Sequence, residues 1–439
     1  MAEGTGPGEA AALARAVRAA QRGLGAAPAA ARTEALQQLA ALLAAGEAEL
    51  LAANRRDRER AEQGALAPPL YKRLVLDAAR LATLREGVLQ LAATPDPIGR
   101  PRRRTELDAG LVLSQVSCPL GVLLVIFESR PDVVVQIGAL AIRSGNGVIL
   151  KGGREALHSN RALVGCLQQA LRAAALPAGA IALVEGREAV AELLELPELI
   201  DVVIPRGSGQ LVRQIQAQTR IPVLGHSEGV CHLYVDRAAD PEMALRLALD
   251  GKCDYPAACN ATEALLVHAE FLPQLGRLGA ALAERGVELR ADARARAVLP
   301  WARPATEQDW GREFGDLILA VRVVDSIEEA IAHIHRYGSG HTDAIVTADR
   351  AAAERFLAEV DAASVFWNAS TRFADGYRYG LGAEVGIATG RIHARGPVGL
   401  EGLLTTRWLL RGSGQAAGEY GPGGRRFTHR ALPLEDAGS

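Results

Sequence analysis

Apolar residues recur in two rhythms along the chain. Over residues 9–95 they follow helical spacing: Leu36, Leu39, Leu42 and Leu43 fall at i, i+3 and i+4 intervals, and Leu50 and Leu51 extend the stripe. Asp96 and Pro97 end it. From residue 111 short runs rich in β-branched residues take over, at 121–127, 147–150, 181–184, 201–204 and 231–235. Helical stretches at 156–175 and 209–218 separate them. Continuous apolar runs flanked by helices predict a parallel sheet covered on both faces. A second set follows at 264–267, 317–324, 342–346 and 364–367, with helices at 272–284, 327–335 and 351–360. The pattern predicts an α/β protein with two sheet domains. The basic run 100–104 reads as a solvated turn. The Gly-rich, weakly apolar segment 413–439 reads as a disordered tail.

Composition narrows the class. Among 439 residues, 49% are hydrophobic and 23% charged, which suits two or three globular domains with large cores. The net charge of −2 gives no basic surface for nucleic acid or membrane. The longest apolar runs are too short to cross a bilayer. The first residues lack the basic start and apolar stretch of a secretory signal. Five cysteines are scattered at 118, 166, 231, 253 and 259, an odd count that argues against a disulfide framework. No histidine pair at ligand spacing on one helical face supports a metal site; His333 and His335 point to different sides of a helix.

Candidate chemistry falls in the turns. Cys259, in KCDYPAACNATEALLV, follows a small-residue turn and precedes a strand. A thiolate at the mouth of a cleft is a strong nucleophile, whereas a buried cysteine is an inert packing group. Lys151, Gly152 and Gly153 follow one strand and precede a helix; Gly207, Ser208 and Gly209 repeat that arrangement. Such turns present backbone N–H groups to anions, or are ordinary tight turns. His226, in LGHSEGVCHLYVD, lies on a turn before a strand.

Together these segments resemble the γ-glutamyl phosphate reductases, also called glutamate-5-semialdehyde dehydrogenases. The resemblance rests on PLGVLLVIFESRPDVVVQIGALAIRSGNGVILKGGREALHSN, IPRGSGQLV, GHSEGVCHLYVD, YPAACNATEALL and the long segment from FWNASTRF to TTRWLLRG, and spans about residues 10–412. YPAACNA and VFWNASTRF look most like the reductase half of animal Δ1-pyrroline-5-carboxylate synthase. The resemblance implies an aldehyde dehydrogenase-like α/β fold with a Rossmann-type cofactor domain, an α/β catalytic domain and a small oligomerisation arm. Mapped here, residues 1–252 form the helical N-terminus and NADPH-binding domain. Residues 253–380 form the catalytic domain. Residues 381–412 return to the cofactor domain and supply the arm, with help from the chain before 121.

The implied reaction is NADPH-dependent reduction of L-glutamyl 5-phosphate to glutamate 5-semialdehyde and phosphate, in proline biosynthesis. Cys259 becomes the nucleophile, with the backbone N–H groups of Cys259 and Asn260 facing the oxyanion. Lys151, Gly152, Gly207, Ser208, Gly209 and Glu313 are implied cofactor contacts. Arg130, His226 and Asn368 are candidates for the substrate's polar groups. Oxidising aldehyde dehydrogenases carry a water-activating glutamate where His226 stands here, which favours reduction; Glu228, two residues on, is the residue that bears on that argument. The implied partners are the glutamyl phosphate substrate, a glutamate kinase and further copies of the chain. The compartment is cytoplasmic, with a mitochondrial alternative for an animal relative. Two other readings compete: an NAD(P)-dependent semialdehyde dehydrogenase, and a non-catalytic partner of a pyrroline-5-carboxylate synthase.

Overall fold

The computed structural model describes residues 8–434 apart from Gly382, so residues 1–7 and 435–439, parts of the expected N-terminal domain and tail, lie outside the described residues. Helices Glu9–Ala26, Ala29–Ala45, Glu47–Gln63, Pro68–Leu74 and Ala78–Ala93 fill the region of helical rhythm. Two strands follow, β1 (Pro101–Asp108) and β2 (Leu111–Pro119). Next come β3 (Val122–Phe127), β4 (Gly147–Lys151), β5 (Ile181–Leu183) and β6 (Val202–Arg206). The second half of the chain contributes β7 (Cys231–Val235), β8 (Thr262–His268), β9 (Glu288–Ala291), β10 (Arg303–Pro304), β11 (Ile318–Val324), β12 (Thr342–Val346) and β13 (Ser364–Trp367). The chain ends through β14 (Gly386–Ala388), β15 (Gly396–Val398), β16 (Leu404–Arg411) and β17 (Arg430–Ala431). Among the described residues no helix is long and apolar enough to cross a membrane.

The first sheet is parallel, in the order β5-β4-β3-β6. The first strand of the unit thus lies between the second and the fourth, which is the dinucleotide-fold order with its switch point between β3 and β6. All six residues of β3 are buried. Leu123, Val125 and Phe127 pack into one apolar cluster, Val122, Leu124 and Ile126 into another. That period-2 division is what a strand covered on both faces requires. Val385, Ala388, Val398 and Leu403 join the first cluster, so the chain returns to this domain after β13.

The second sheet has seven parallel strands, β10-β9-β11-β8-β7-β12-β13. Its membership corrects the expected boundary at 252/253. β7 pairs with β8 and β12, so the second sheet domain takes in the chain from near residue 231. An apolar run does not encode which sheet it joins; that depends on long-range pairing.

A third sheet, β16-β2-β1-β17, is antiparallel and draws on residues 404–411 and on the chain before 121, the segments expected to supply the arm. The basic run 100–104 lies largely in β1 rather than in a turn, because its polar side chains face solvent while its backbone pairs with β2. Residues 413–434 also depart from the expected tail. β17 pairs with Thr105 and Glu106, and Tyr420 stacks on Phe427 with ring centroids 4.5 Å apart. Two aromatic rings and an open strand edge give this Gly-rich segment something to bind.

Candidate active site

Cys259 sits in the turn between helix Pro241–Cys253 and β8. The turn closes with Ala258 N–H donating to Tyr255 O and Ala261 N–H to Ala258 O. It is clamped from the far side by residues 371–378. Asp254 pairs with Arg372 at 3.2 Å and Arg378 at 3.3 Å, and the buried Asn260 amide donates to Arg372 O and Ala374 O. The Asn260 side chain is therefore a strut. The backbone N–H groups of Cys259 and Asn260 have no hydrogen-bond partner among the described residues.

The turn before β7 lies against the cysteine. A Cβ on Gly229 would stand 2.0 Å from Cys259 O, so only glycine allows this approach. Gly229 N–H donates to Glu313 Oε2 at 2.8 Å. His226 Nδ1 meets Ile387 O at 2.8 Å, and burial holds its pKa below the ordinary value. A neutral ring bonded in this way donates through Nδ1 and leaves Nε2 as an acceptor. His341, just ahead of β12, is fully buried, and its ring centroid is 4.9 Å from that of His226. One donor atom each of His226, Cys259 and His341 lies within 4.8 Å of the others. Glu228 pairs with Arg213 at the surface.

The opposite wall comes from the carboxyl ends of β3, β4 and β6. Arg206, largely buried at the end of β6, is 3.9 Å from Glu384. Burial lowers the Arg206 pKa and raises that of Glu384; each also feels the other, and Arg206 feels Arg130 and Cys259. Arg130 follows a left-handed Ser129 (φ 41°). Ser129 holds that conformation, which costs about 1 kcal/mol, by donating its N–H and hydroxyl to Glu155 at 2.8 and 2.6 Å. Ser208 caps helix Gly209–Gln218 by accepting from Leu211 N–H, and its own N–H donates to the Glu128 carboxylate at 3.1 Å. The turn thus already serves one internal anion. Gly209 approaches so closely that a Cβ would be 1.9 Å from Ser227 O, joining this wall to the turn before β7.

Beside these strand ends opens a cleft of about 1170 Å³, lined by Lys151, Gly152, Gly153, Arg187 and Ser208 among others. Burial lowers the Lys151 pKa, partly offset by Glu155. A cleft at the carboxyl edge of a parallel sheet, with glycine turns and cationic side chains, suits a dinucleotide.

The structure therefore brings together Cys259, His226, Glu313 and the Arg130–Arg206 pair, and places Lys151, Gly152 and Ser208 along the cleft. It separates Asn368 from them. Asn368 lies just past the carboxyl end of β13, whereas Cys259 precedes the amino end of the parallel strand β8. Its amide is consumed by Thr347, accepting from Thr347 N–H and donating to Thr347 O, both at 3.0 Å. Sequence reasoning missed Arg206, Glu384 and His341. Arg206 had a signal in IPRGSGQLV, adjoining a named glycine; His341 had none, because its turn meets Cys259 only in three dimensions.

A cysteine between a dinucleotide cleft and a second parallel sheet defines the aldehyde dehydrogenase class. Residues 3–292 match the aldehyde dehydrogenase family model. An acetylating aldehyde dehydrogenase from Geobacillus thermoglucosidasius shares the fold at 17% identity (TM-score 0.64; 93% of this chain and 97% of that one). A γ-glutamyl phosphate reductase from Cyanothece sp. (strain PCC 7425) is 55% identical over 422 residues, 96% of this chain and 97% of that protein. The crystal structure of the γ-glutamyl phosphate reductase from Thermotoga maritima superposes with a TM-score of 0.90 at 37% identity (93% of this chain and 99% of that one). The chain belongs to the γ-glutamyl phosphate reductases of the aldehyde dehydrogenase family, a family that works with a nicotinamide cofactor.

Proposed function

We propose that this protein reduces L-glutamyl 5-phosphate to L-glutamate 5-semialdehyde with release of phosphate, using NADPH. The observation that carries the reading is Cys259 on a turn packed against the turn before β7, with His226 and His341 beside it and the largely buried Arg206 close enough to feel its charge. The Cys259 sulfur attacks the acyl carbon. The C–O bond to phosphate breaks, a thioester forms and phosphate leaves. The free N–H groups of Cys259 and Asn260 face the developing oxyanion. Arg206 and Arg130 offset the charge of the phosphate and the sulfur. The bound dinucleotide supplies the hydride that reduces the acyl group. His226 and His341 stand where the proton of the collapsing intermediate is handled.

Lys151, with Arg187 across the cleft, supports the phosphorylated cofactor over its unphosphorylated form. Glu313 serves the site through Gly229 and through its second oxygen, which suits a ribose hydroxyl. The substrate's acyl phosphate is labile, so we assign a glutamate kinase as its supplying partner, assembly through the arm, and the cytoplasm as the setting.

The test runs the reaction backwards from pyrroline-5-carboxylate with NADP and phosphate. Phosphate-dependent NADPH formation, lost in Cys259→Ala, is the expected result. Phosphate-independent oxidation would instead favour a semialdehyde dehydrogenase, and no turnover by folded protein would favour a non-catalytic partner.

A further inference from the structure

His226, Cys259 and His341 come from three separate turns, ahead of β7, β8 and β12. Their donor atoms lie within 4.8 Å of one another. Both imidazoles are fixed through Nδ1. That of His226 meets Ile387 O at 2.8 Å; that of His341 meets Thr342 Oγ1 at 2.9 Å and Cys231 Sγ at 3.7 Å. His341 Nε2 is buried without any partner. A buried ring nitrogen left unpaired costs about 1–3 kcal/mol, so something is expected to use it. Metal-binding histidines show this pattern, one nitrogen anchored on an outer oxygen and the other presented to the ion. Two imidazoles and a thiolate are the donor set of a borderline cation such as Zn²⁺, and three protein ligands leave a fourth position open.

We propose that His226, Cys259 and His341 form a reversible inhibitory site for Zn²⁺ or a chemically similar divalent cation. On binding, the S–H bond of Cys259 breaks, its proton passes to solvent and a metal–sulfur bond forms. No oxidant or reductant takes part. The sulfur's lone pair is then committed, so metal binding and acylation at Cys259 exclude each other. Tetrahedral zinc holds its ligands roughly 3.5 Å apart. Occupancy therefore draws the three turns together by about an ångström, a small adjustment for side chains on turns. The cation need not support turnover; its effect is to take the nucleophile out of use, and the site stands whether or not the proposed reaction is correct.

The experiment uses the reduced full-length protein and Co²⁺ as a spectroscopic probe for Zn²⁺. One equivalent of Co²⁺ is expected to give thiolate-to-metal charge-transfer absorption that Zn²⁺ displaces and Cys259→Ser abolishes. His226→Ala and His341→Ala are each expected to weaken the apparent affinity by about tenfold or more. In the unmutated protein, Zn²⁺ is expected to slow alkylation of Cys259 by iodoacetamide by about tenfold or more, and a chelator to restore it. Absorption that persists in Cys259→Ser overturns the proposal, as does alkylation that Zn²⁺ leaves unchanged. The alkylation arm needs no substitution, so a variant that fails to fold does not block the test. Neither readout needs turnover, so its failure is distinct from failure of the proposed reaction.

Discussion

The parallel four-stranded sheet and the seven-stranded sheet face the site around Cys259 with opposite edges. In the first, the facing residues leave from the carboxyl ends of β3, β4 and β6: Arg130, Lys151, Arg206 and Ser208. In the second, they precede the strands: His226 and Gly229 before β7, Cys259 before β8, Glu313 before β11, His341 before β12. Helix N-termini gather at a carboxyl edge, so the first sheet offers N–H groups and positive dipole ends to phosphates. Helix C-termini gather at an amino edge, where a thiolate gains nothing from the dipoles. The second sheet therefore supplies side-chain chemistry, and Arg206 of the first sheet lies close enough to the sulfur to feel its charge.

Arg206→Met strikes both edges and has the largest expected effect. It removes the cation near the sulfur and leaves Glu384 buried without its partner. Activity is expected to fall by about 10²–10³-fold, with stability reduced by roughly 3 kcal/mol in denaturant unfolding. Gly229→Ala affects the amino edge. Its Cβ meets the Cys259 carbonyl, so the turn shifts and kcat is expected to drop by about 10²-fold, with a smaller rise in the KM for NADPH than Lys151→Met gives. Lys151→Met affects the carboxyl edge, and the opposite split is expected: a KM for NADPH raised about tenfold, kcat retained and NADH use unaffected. If Gly229→Ala raised the KM for NADPH as Lys151→Met does, the division of labour between the edges would fail.

A further prediction concerns pH and stability rather than catalysis. His333, buried in the catalytic half, is pulled from its ordinary 6.5 to about 2, chiefly by burial and then by His232, Arg322 and Arg336. Below pH 6.5 the unfolded chain takes up a proton that the folded one refuses. Stability therefore falls as pH drops from 6.5 toward 2, by at most about 1.4 kcal/mol per unit. Unfolding midpoints of His333→Leu across that window are expected to lose this slope.

Much of this architecture is written locally. β7, β12 and β13 coincide with the predicted runs, and β3, β4, β6, β8 and β11 match theirs within two residues at either end, because strands buried on both faces must be continuously apolar. What is not local was not legible. β7 reads the same whether it joins one sheet or the other. β1 is an exposed strand whose charges mask it, and β17 exists only because β1 offers an edge. Cys259 stands out through its surroundings, but Arg206 and His341 acquire meaning only when strands from two sheets meet. Asn368 shows the reverse error. A polar residue in a recognisable segment draws a functional reading, while its amide is spent on Thr347.

The central claim is that acyl chemistry occurs at Cys259, at the junction of the two edges. Its most direct test is to mix the protein with freshly made glutamyl phosphate in the absence of dinucleotide, quench in acid, and map the adduct by peptide mass. One glutamyl group is expected, on the peptide carrying Cys259, and its loss is expected when NADPH is added before the quench. An adduct on another residue, or none on a folded protein, would contradict the account.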